Sequence, residues 1–260
     1  GVESRGMICS STELGLGTDG TGIMELPEEH APGTPADAIY GYRDTVLDIE
    51  VTPNRPDWLS HYGVAREVGA LYGTKVSPPP VLKPAQGQKL GWKVEIEDYA
   101  DCPRYMASGA DQVQIGPAPA WMQNRLRAVG QRPVSNVVDI TNYVLLELGQ
   151  PLHAFDRERI SGGVITVRRA GRRQTVTTLD DQPRQLEADD VVIADGDGPV
   201  ALAGVMGLAS SEVTPDTQSL RLESACFSPA RVRETSRRLG LVSESSYRFE
   251  READWEMVRF

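Results

Sequence analysis

The sequence has few cysteines, few aromatic residues and no long apolar run. Its three cysteines, Cys9, Cys102 and Cys226, lie far apart without a CxxC spacing, so neither a disulfide framework nor a structural zinc site is expected. Hydrophobic residues make up 40% and charged residues 25% of the 260 residues, which excludes the membrane-spanning, collagen-like and disordered classes. This pattern predicts a soluble globular protein from a reducing, cytoplasmic compartment, with no membrane contact.

Positive charge is also in deficit, since the formal net charge is -10. The first 80 residues contain 12 acidic and 5 basic residues, so the acidity is concentrated at the front of the chain. Nonspecific attraction to nucleic acid is therefore not expected, and any RNA contact must be local. Because the sequence begins at Gly1 without an initiator methionine, we expect it to be a piece of a longer polypeptide.

Three common catalytic signatures are absent, namely GxxxxGK[ST], HExxH and GxSxG, so nothing in this chain indicates use of ATP. Residues 15–20 match GxGxxG, but no alternating strand precedes them and no helix pattern follows. A phosphate-binding turn needs both elements. We therefore interpret this segment as a loop.

Composition divides the chain into four parts. Residues 1–42 are loop-rich, with a capping box at residues 10–13. Residues 43–75 predict a strand at 47–51 and a helix from about Asp57 to Gly73. Residues 76–91 are a proline-rich linker, because their composition sustains neither helix nor central strand. Residues 92–260 predict a mixture of strands and helices.

In this last part, helices are predicted after Pro119, at 137–148 and at 230–239. Alternating patterns predict strands at 92–96, 104–114, 164–168, 175–179, 191–194, 199–203 and 219–223. The sequence DGDG at 195–198 indicates a hairpin. The fold class is therefore α+β, with a mixed sheet and flanking helices.

Three groups of polar residues are candidates for function. His153 follows a predicted helix end, where a neutral imidazole can orient water, although a structural histidine is the commoner case. Glu223 is either solvated or, if it faces a pocket, a strong acceptor for a ligand hydroxyl. The C-terminal arginines can neutralise RNA phosphates or form ion pairs on a solvated helix face. Charge alone does not decide whether these arginines contact phosphates or form ion pairs.

Several ordered motifs resemble the beta subunit of bacterial phenylalanyl-tRNA synthetase. Its editing domain is similar to the following segments: RPVSNVVDITNY at 132–143, HAFD at 153–156, GPVALAGVMG at 198–207, LESA at 222–225 and YRFER at 247–251. Residues 48–71 resemble the short domain before it, and residues 1–27 resemble the end of an inserted OB-fold tRNA-binding module. The resemblance covers nearly the whole chain.

This resemblance implies post-transfer editing, the hydrolysis of tyrosine mischarged on tRNA(Phe). It implies that the remainder of the beta subunit and an alpha subunit, in an α2β2 assembly, are partners. It also implies that ATP and magnesium act elsewhere in the synthetase, so that this fragment holds no cofactor or metal and does not aminoacylate. The alternative is a non-catalytic architectural or tRNA-docking module with a degenerate pocket.

Editing of this kind has a physical reason. An apolar pocket shaped for phenylalanine rejects an added hydroxyl only weakly. A second pocket with a polar acceptor at its base favours tyrosine, because phenylalanine leaves that acceptor unpaired, at about 1–3 kcal/mol for a neutral group.

By resemblance, Glu223 accepts the tyrosyl hydroxyl, and the ester and ribose lie near the catalytic candidates Thr141, Asn142 and His153. Whether His153 is a general base or only orients water stays open. The resemblance further implies an amino-acid pocket at Ala203, Gly204 and Ala225, and tRNA contacts at Arg237, Arg238 and Arg248.

The sequence departs from the family pattern at three places. Leu208 replaces the second glycine of Met-Gly-Gly, and it could narrow the loop beside the pocket, which favours the non-catalytic alternative. Glu252 replaces the glycine of Arg-Gly-Val-Asp-Pro, and the turn at residues 179–182 lacks its usual glycine. Retention of Asn142, His153 and Glu223 together favours the enzyme.

Overall fold

A computed structural model describes residues 6–17, 20–26, 30–40, 44–81 and 91–260. The chain divides into two compact units, Gly1–Thr45 and Val46–Phe260. In the first unit, helix α1 spans Ala36–Tyr40, and the Ser10 amide donates to Glu13 at 2.8 Å while the Glu13 amide donates to the Ser10 hydroxyl at 3.3 Å. The capping-box hydrogen bonds are thus present, around a turn. The described residues of this unit contain no strand, and the OB-fold assignment stays a prediction.

The second unit opens with helix α2, His61–Tyr72, which follows a short 3-10 turn at Pro56–Trp58. Ser60 accepts from the Gly63 amide as N-cap, and Gly73 ends the helix at φ +64°. The strand predicted at 47–51 is wrong, because this segment forms no strand and pairs with none of the strands among the described residues. The predicted domain boundaries stay predictions, and residues 82–90 of the linker lie outside the described part.

A five-stranded mixed sheet forms the centre of this unit. Its strand order is β1-β4-β7-β8-β9, in which β1 and β4 are parallel and the other pairs are antiparallel. The strands are β1 Lys93–Ile96, β4 Val164–Arg169, β7 Val191–Ala194, β8 Pro199–Leu202 and β9 Met206–Gly207. All four residues of β7 are buried, as expected of a strand in the middle of a covered sheet. The predicted mixed sheet is therefore confirmed.

A three-stranded antiparallel sheet packs beside it. Its order is β2-β10-β3, with β2 Arg104–Asp111, β10 Ser219–Cys226 and β3 Leu152–Asp156. The sequence analysis missed β3, because its five residues follow Gly149 and Pro151 directly and show no clear alternation. A two-stranded hairpin completes the β-structure, with β5 Gln174–Thr177 and β6 Pro183–Leu186, of which β6 was also missed.

Four further helices flank these sheets: α3 Ala120–Ala128, α4 Asn136–Leu148, α5 Pro229–Leu239 and α6 Glu244–Phe249. Ser135 caps α4 at its start and Gly149, at φ +79°, ends it. Gly240 ends α5 in the same way at φ +64°. The local signals for helix ends were therefore reliable, and the α+β fold class is confirmed.

Two departures from the family pattern fall on strained backbone. Asp181 in the turn without glycine has φ +57°, and Glu252 has φ +75°. A left-handed conformation costs a residue with a Cβ about 1–2 kcal/mol. The usual glycines at these places therefore have a conformational reason, and this chain carries the strain instead.

Candidate active site

A pocket lies where the end of the five-stranded sheet meets the three-stranded sheet and α6. Most of its lining is apolar or backbone, and its polar side chains are His153, Glu223 and Ser245. The remaining residues around it are Pro151, Leu152, Ile193, Ala201, Leu202, Gly204, Val205, Met206, Gly207 and Phe249. A concave pocket on which a few polar groups converge is the usual form of a small-molecule site.

His153 and Glu223 are direct neighbours across two strands. They are register partners in the antiparallel pair of β3 and β10, so their side chains project from the same face of the sheet with Cβ atoms about 5 Å apart. The two residues predicted from the sequence as water-orienting group and ligand acceptor therefore line one pocket.

Glu223 is only 6% exposed, and burial raises the pKa of its carboxyl to about 8. The Tyr105 hydroxyl donates to Glu223 Oε2 at 3.1 Å, which opposes part of that rise. The sequence predicts an ionised carboxylate at Glu223, but at neutral pH this buried carboxyl is largely a neutral acid. Either form can bind a phenol, since the acid has one donor and one acceptor oxygen.

His153 is held in a tight environment. Burial lowers the pKa of its imidazole to about 4, so the ring is neutral at pH 7 and one nitrogen can accept a proton. The Phe155 ring lies edge-on at 4.6 Å between centroids. A Cβ added at Gly207 would lie 2.7 Å from His153 Nε2, so the backbone there approaches the ring as closely as only glycine allows.

The other predicted catalytic residues, Thr141 and Asn142, lie on α4 and are half-buried. The Thr141 hydroxyl donates to the Val138 carbonyl at 2.8 Å, within its own helix. Neither residue is part of the pocket lining. Their predicted catalytic roles stay predictions.

Of the predicted amino-acid pocket, only Gly204 lines the cavity. Ala203 and Ala225 are buried in the core beside it. Gly204 has φ +70°, and a Cβ there would lie 2.9 Å from the Phe249 ring, so glycine is required for both conformation and space. Ala225 accepts a hydrogen bond from Gln150 Nε2 at its carbonyl and has a packing role.

The predicted tRNA contacts differ from one another. Arg248 is 5% exposed, and its guanidinium donates twice to the Leu59 carbonyl, at 3.1 and 2.9 Å. It therefore links the segment before α2 to α6, and its tRNA contact stays a prediction. Arg238 pairs with Asp190, whereas Arg237 is exposed and makes no ion pair among the described residues.

Sequence reasoning missed Tyr105, Gly207 and Ser245 as residues of this site. Tyr105 lies in a predicted strand, but its contact with Glu223 spans 118 residues and no local pattern indicates it. Gly207 is the last residue of the motif at 198–207, and no local signal distinguishes it from the rest of that motif. Ser245 lies in α6, and its hydroxyl has no hydrogen-bond partner among the described residues.

Comparison with known proteins identifies the family. The B3/4 domain family matches residues 101–260, more than half of the chain. The chain belongs to the B3/4 domain family. The B3/4 region contains the whole pocket, including Tyr105, His153 and Glu223.

Curated relatives extend the similarity over nearly the whole chain. It is 54% identical to "Phenylalanine--tRNA ligase beta subunit" of Anaeromyxobacter dehalogenans over 99% of this chain and 32% of the relative. It is 50% identical to the protein of the same name from Syntrophotalea carbinolica, again over 99% of this chain and 32% of the relative. The chain thus spans about a third of the length of these relatives.

A solved N-terminal fragment of the phenylalanyl-tRNA synthetase beta-subunit from Pyrococcus horikoshii is also similar. It covers 66% of this chain and 53% of its own, with 15% identity and a TM-score of 0.40, which is too low to carry an argument.

Neither a helical membrane span nor a metal site is present in the described residues. No helix there has the length and apolar character of a membrane span. No group of three or more His, Cys, Asp or Glu side chains in the same residues is arranged to hold a metal ion.

Proposed function

We propose that this chain hydrolyses the ester bond of tyrosine mischarged on tRNA(Phe). The single observation that carries the proposal is the pairing of His153 with Glu223 in one pocket of a B3/4 domain. The names of the curated relatives supply the substrate class, because an apolar pocket shaped for phenylalanine rejects the added hydroxyl of tyrosine only weakly.

Recognition of tyrosine follows from the buried Glu223 carboxyl. A tyrosyl phenol satisfies the oxygen that faces the pocket, whereas a phenylalanyl ring excludes water from it and leaves it unpaired. An unsatisfied neutral group costs about 1–3 kcal/mol, which corresponds to a discrimination of about 5- to 150-fold.

The reaction is the attack of water on the ester carbonyl. The carbonyl carbon forms a bond to the water oxygen, the bond to the ribose oxygen breaks, and that oxygen takes up a proton. The neutral His153 ring orients the water and can accept its proton, while bound substrate and water are held in reacting geometry. Transfer of the tyrosyl group from the ribose ester to water needs no ATP. In this proposal, ATP and magnesium therefore serve other parts of the synthetase.

The rival proposal, a non-catalytic docking module, rested on Leu208. That side chain is 3% exposed and packs in the core, outside the pocket lining. Leu208 therefore does not itself line the pocket, which supports the editing proposal over the docking module.

We further propose that the chain acts in the cytoplasm as part of a longer beta subunit, with tRNA(Phe) and an alpha subunit as partners. Arg237 is the best placed of the predicted RNA contacts because it is exposed and makes no ion pair among the described residues, whereas Arg238 pairs with Asp190. The acidic front of the chain repels the RNA backbone and so opposes strong independent RNA binding.

The deciding assay measures the release of amino acid from Tyr-tRNA(Phe) and Phe-tRNA(Phe) by the synthetase that contains this chain. The proposal expects faster release of tyrosine, loss of most of that preference in Glu223→Ala, and slower hydrolysis of both esters in His153→Ala. Glu212→Gln, at an exposed glutamate, is the control. Equal slow release of both amino acids by the native protein would favour the docking module.

A further inference from the structure

The Glu223 carboxyl accepts a hydrogen bond from Tyr105, a residue that does not itself line the pocket. In the pairing of β2 with β10, Tyr105 lies opposite Ala225 and Ala107 lies opposite Glu223. Tyr105 and Glu223 are therefore diagonal neighbours on one face, a distance that an aromatic side chain can span. Alanines at the two intervening positions leave room for the ring to lean across.

The two oxygens of the Glu223 carboxyl have different surroundings. The Tyr105 hydroxyl donates to Oε2 at 3.1 Å, and Tyr105 itself is not part of the pocket lining. Glu223 lines the pocket, and its other oxygen, Oε1, has no hydrogen-bond partner among the described residues. One oxygen is thus occupied by the protein, and the other remains for a ligand.

The donor in this contact is fixed. Burial and the neighbouring Glu223 raise the pKa of the Tyr105 hydroxyl well above its usual value, so it keeps its proton over the whole working pH range. Donation to Oε2 in turn lowers the pKa of Glu223 against the effect of burial. The hydroxyl therefore fixes the carboxyl in one orientation and moderates its affinity for a proton.

We infer that Tyr105 is a positioning residue for specificity, whose hydroxyl orients the Glu223 carboxyl so that Oε1 meets the para-hydroxyl of a bound tyrosyl group. This inference rests on the proposed function and extends it to a residue outside the pocket. A purely structural role for Tyr105 needs only its ring, because the half-buried ring would pack equally well without the hydroxyl. The inference requires the hydroxyl.

Tyr105→Phe removes the hydroxyl and keeps the ring. Tyr143→Phe is the matched control, because the Tyr143 hydroxyl accepts from Arg125 at 2.6 Å and Tyr143 does not line the pocket. The first measurement titrates the carboxyl carbon of Glu223 by NMR in the 260-residue chain, with its signal assigned by its loss in Glu223→Gln. We expect the titration midpoint to move up by about one pH unit in Tyr105→Phe and to stay unchanged in Tyr143→Phe.

The second measurement compares hydrolysis of Tyr-tRNA(Phe) and Phe-tRNA(Phe) by the synthetase that contains each variant. We expect Tyr105→Phe to lower the preference for the tyrosyl ester about tenfold with little change for the phenylalanyl ester. An unchanged midpoint, or a preference equal to that of the native protein, would overturn the inference and leave the proposed function intact. Absence of any preference in the native protein would instead overturn the proposed function, and the inference with it.

Discussion

Replacement of Glu223 by glutamine should stabilise the chain in a pH-dependent way. The unfolded carboxyl has a pKa near 4.5, whereas in the folded protein burial raises the pKa to about 8. Between these values the folded state binds more protons than the unfolded state, so the free energy of unfolding falls as the pH rises. Glutamine is neutral in both states and removes this dependence.

The size of the effect follows from the two pKa values. Each pKa unit corresponds to about 1.4 kcal/mol, so the difference between 4.5 and about 8 sets an upper limit of about 5 kcal/mol at high pH. About 3 kcal/mol of this falls between pH 5 and pH 8. His153 has a folded pKa of about 4, so its contribution to the free energy of unfolding increases as the pH rises to about 6.5. This contribution is the same in both proteins and cancels in the comparison.

Urea unfolding of the native chain and Glu223→Gln at pH 5 and pH 8 measures the difference. We expect similar stabilities at pH 5 and a variant more stable by about 3 kcal/mol at pH 8. Glu212→Gln should change neither value, because that glutamate is exposed. A difference between native protein and Glu223→Gln that stays the same at both pH values would refute the reasoning that burial keeps Glu223 protonated.

Three further outcomes are expected. Gly207→Ala should reduce hydrolysis of the tyrosyl ester at least tenfold in a single-turnover assay, because the new Cβ would lie 2.5 Å from His153 Cε1 and displace the ring; wild-type rates would contradict this contact. Glu252→Gly should raise the free energy of unfolding by about 1 kcal/mol, since φ +75° suits glycine, and thermal unfolding checks it. The hydrolysis rate should be flat from about pH 5 to 7, because His153 stays neutral above a pKa of about 4; a rise centred near pH 6.5 would contradict a buried imidazole.

Local signals predicted much of the fold. Serine caps and terminal glycines, such as Ser135 and Gly149 of α4, act within a few residues of themselves and can be read directly. The same holds for the hairpin at residues 195–198, where the Asp195 amide donates to the Gly198 carbonyl at 2.9 Å.

Contacts between distant parts of the chain could not be predicted in this way. The pairing of His153 with Glu223 depends on β3, which the sequence did not indicate, and the pairing of Tyr105 with Glu223 depends on strand register. Arg248 also depends on a distant contact. Its charge predicted an RNA contact, but its buried guanidinium donates to the Leu59 carbonyl. Periodicity and charge reveal neither register nor tertiary burial.

The resemblance identified His153, Glu223 and Gly204, which line the pocket, but it also implied Thr141, Asn142, Ala203 and Ala225, which do not. Motifs mark segments that matter to a family without distinguishing residues that touch a ligand from residues that support them. For Ala225, the structure supplies a supporting role through its contact with Gln150.

We propose that one pocket binds both ends of the tyrosyl group, the phenol at Glu223 and the ester carbonyl beside His153. The most direct measurement is a crystal structure of the chain with adenosine that carries tyrosine through a non-hydrolysable 3′-amide. The account predicts the phenol oxygen within hydrogen-bond distance of Glu223 Oε1 and a water between the carbonyl carbon and His153. An analogue bound outside this pocket, or with its phenol directed away from Glu223, would contradict the account.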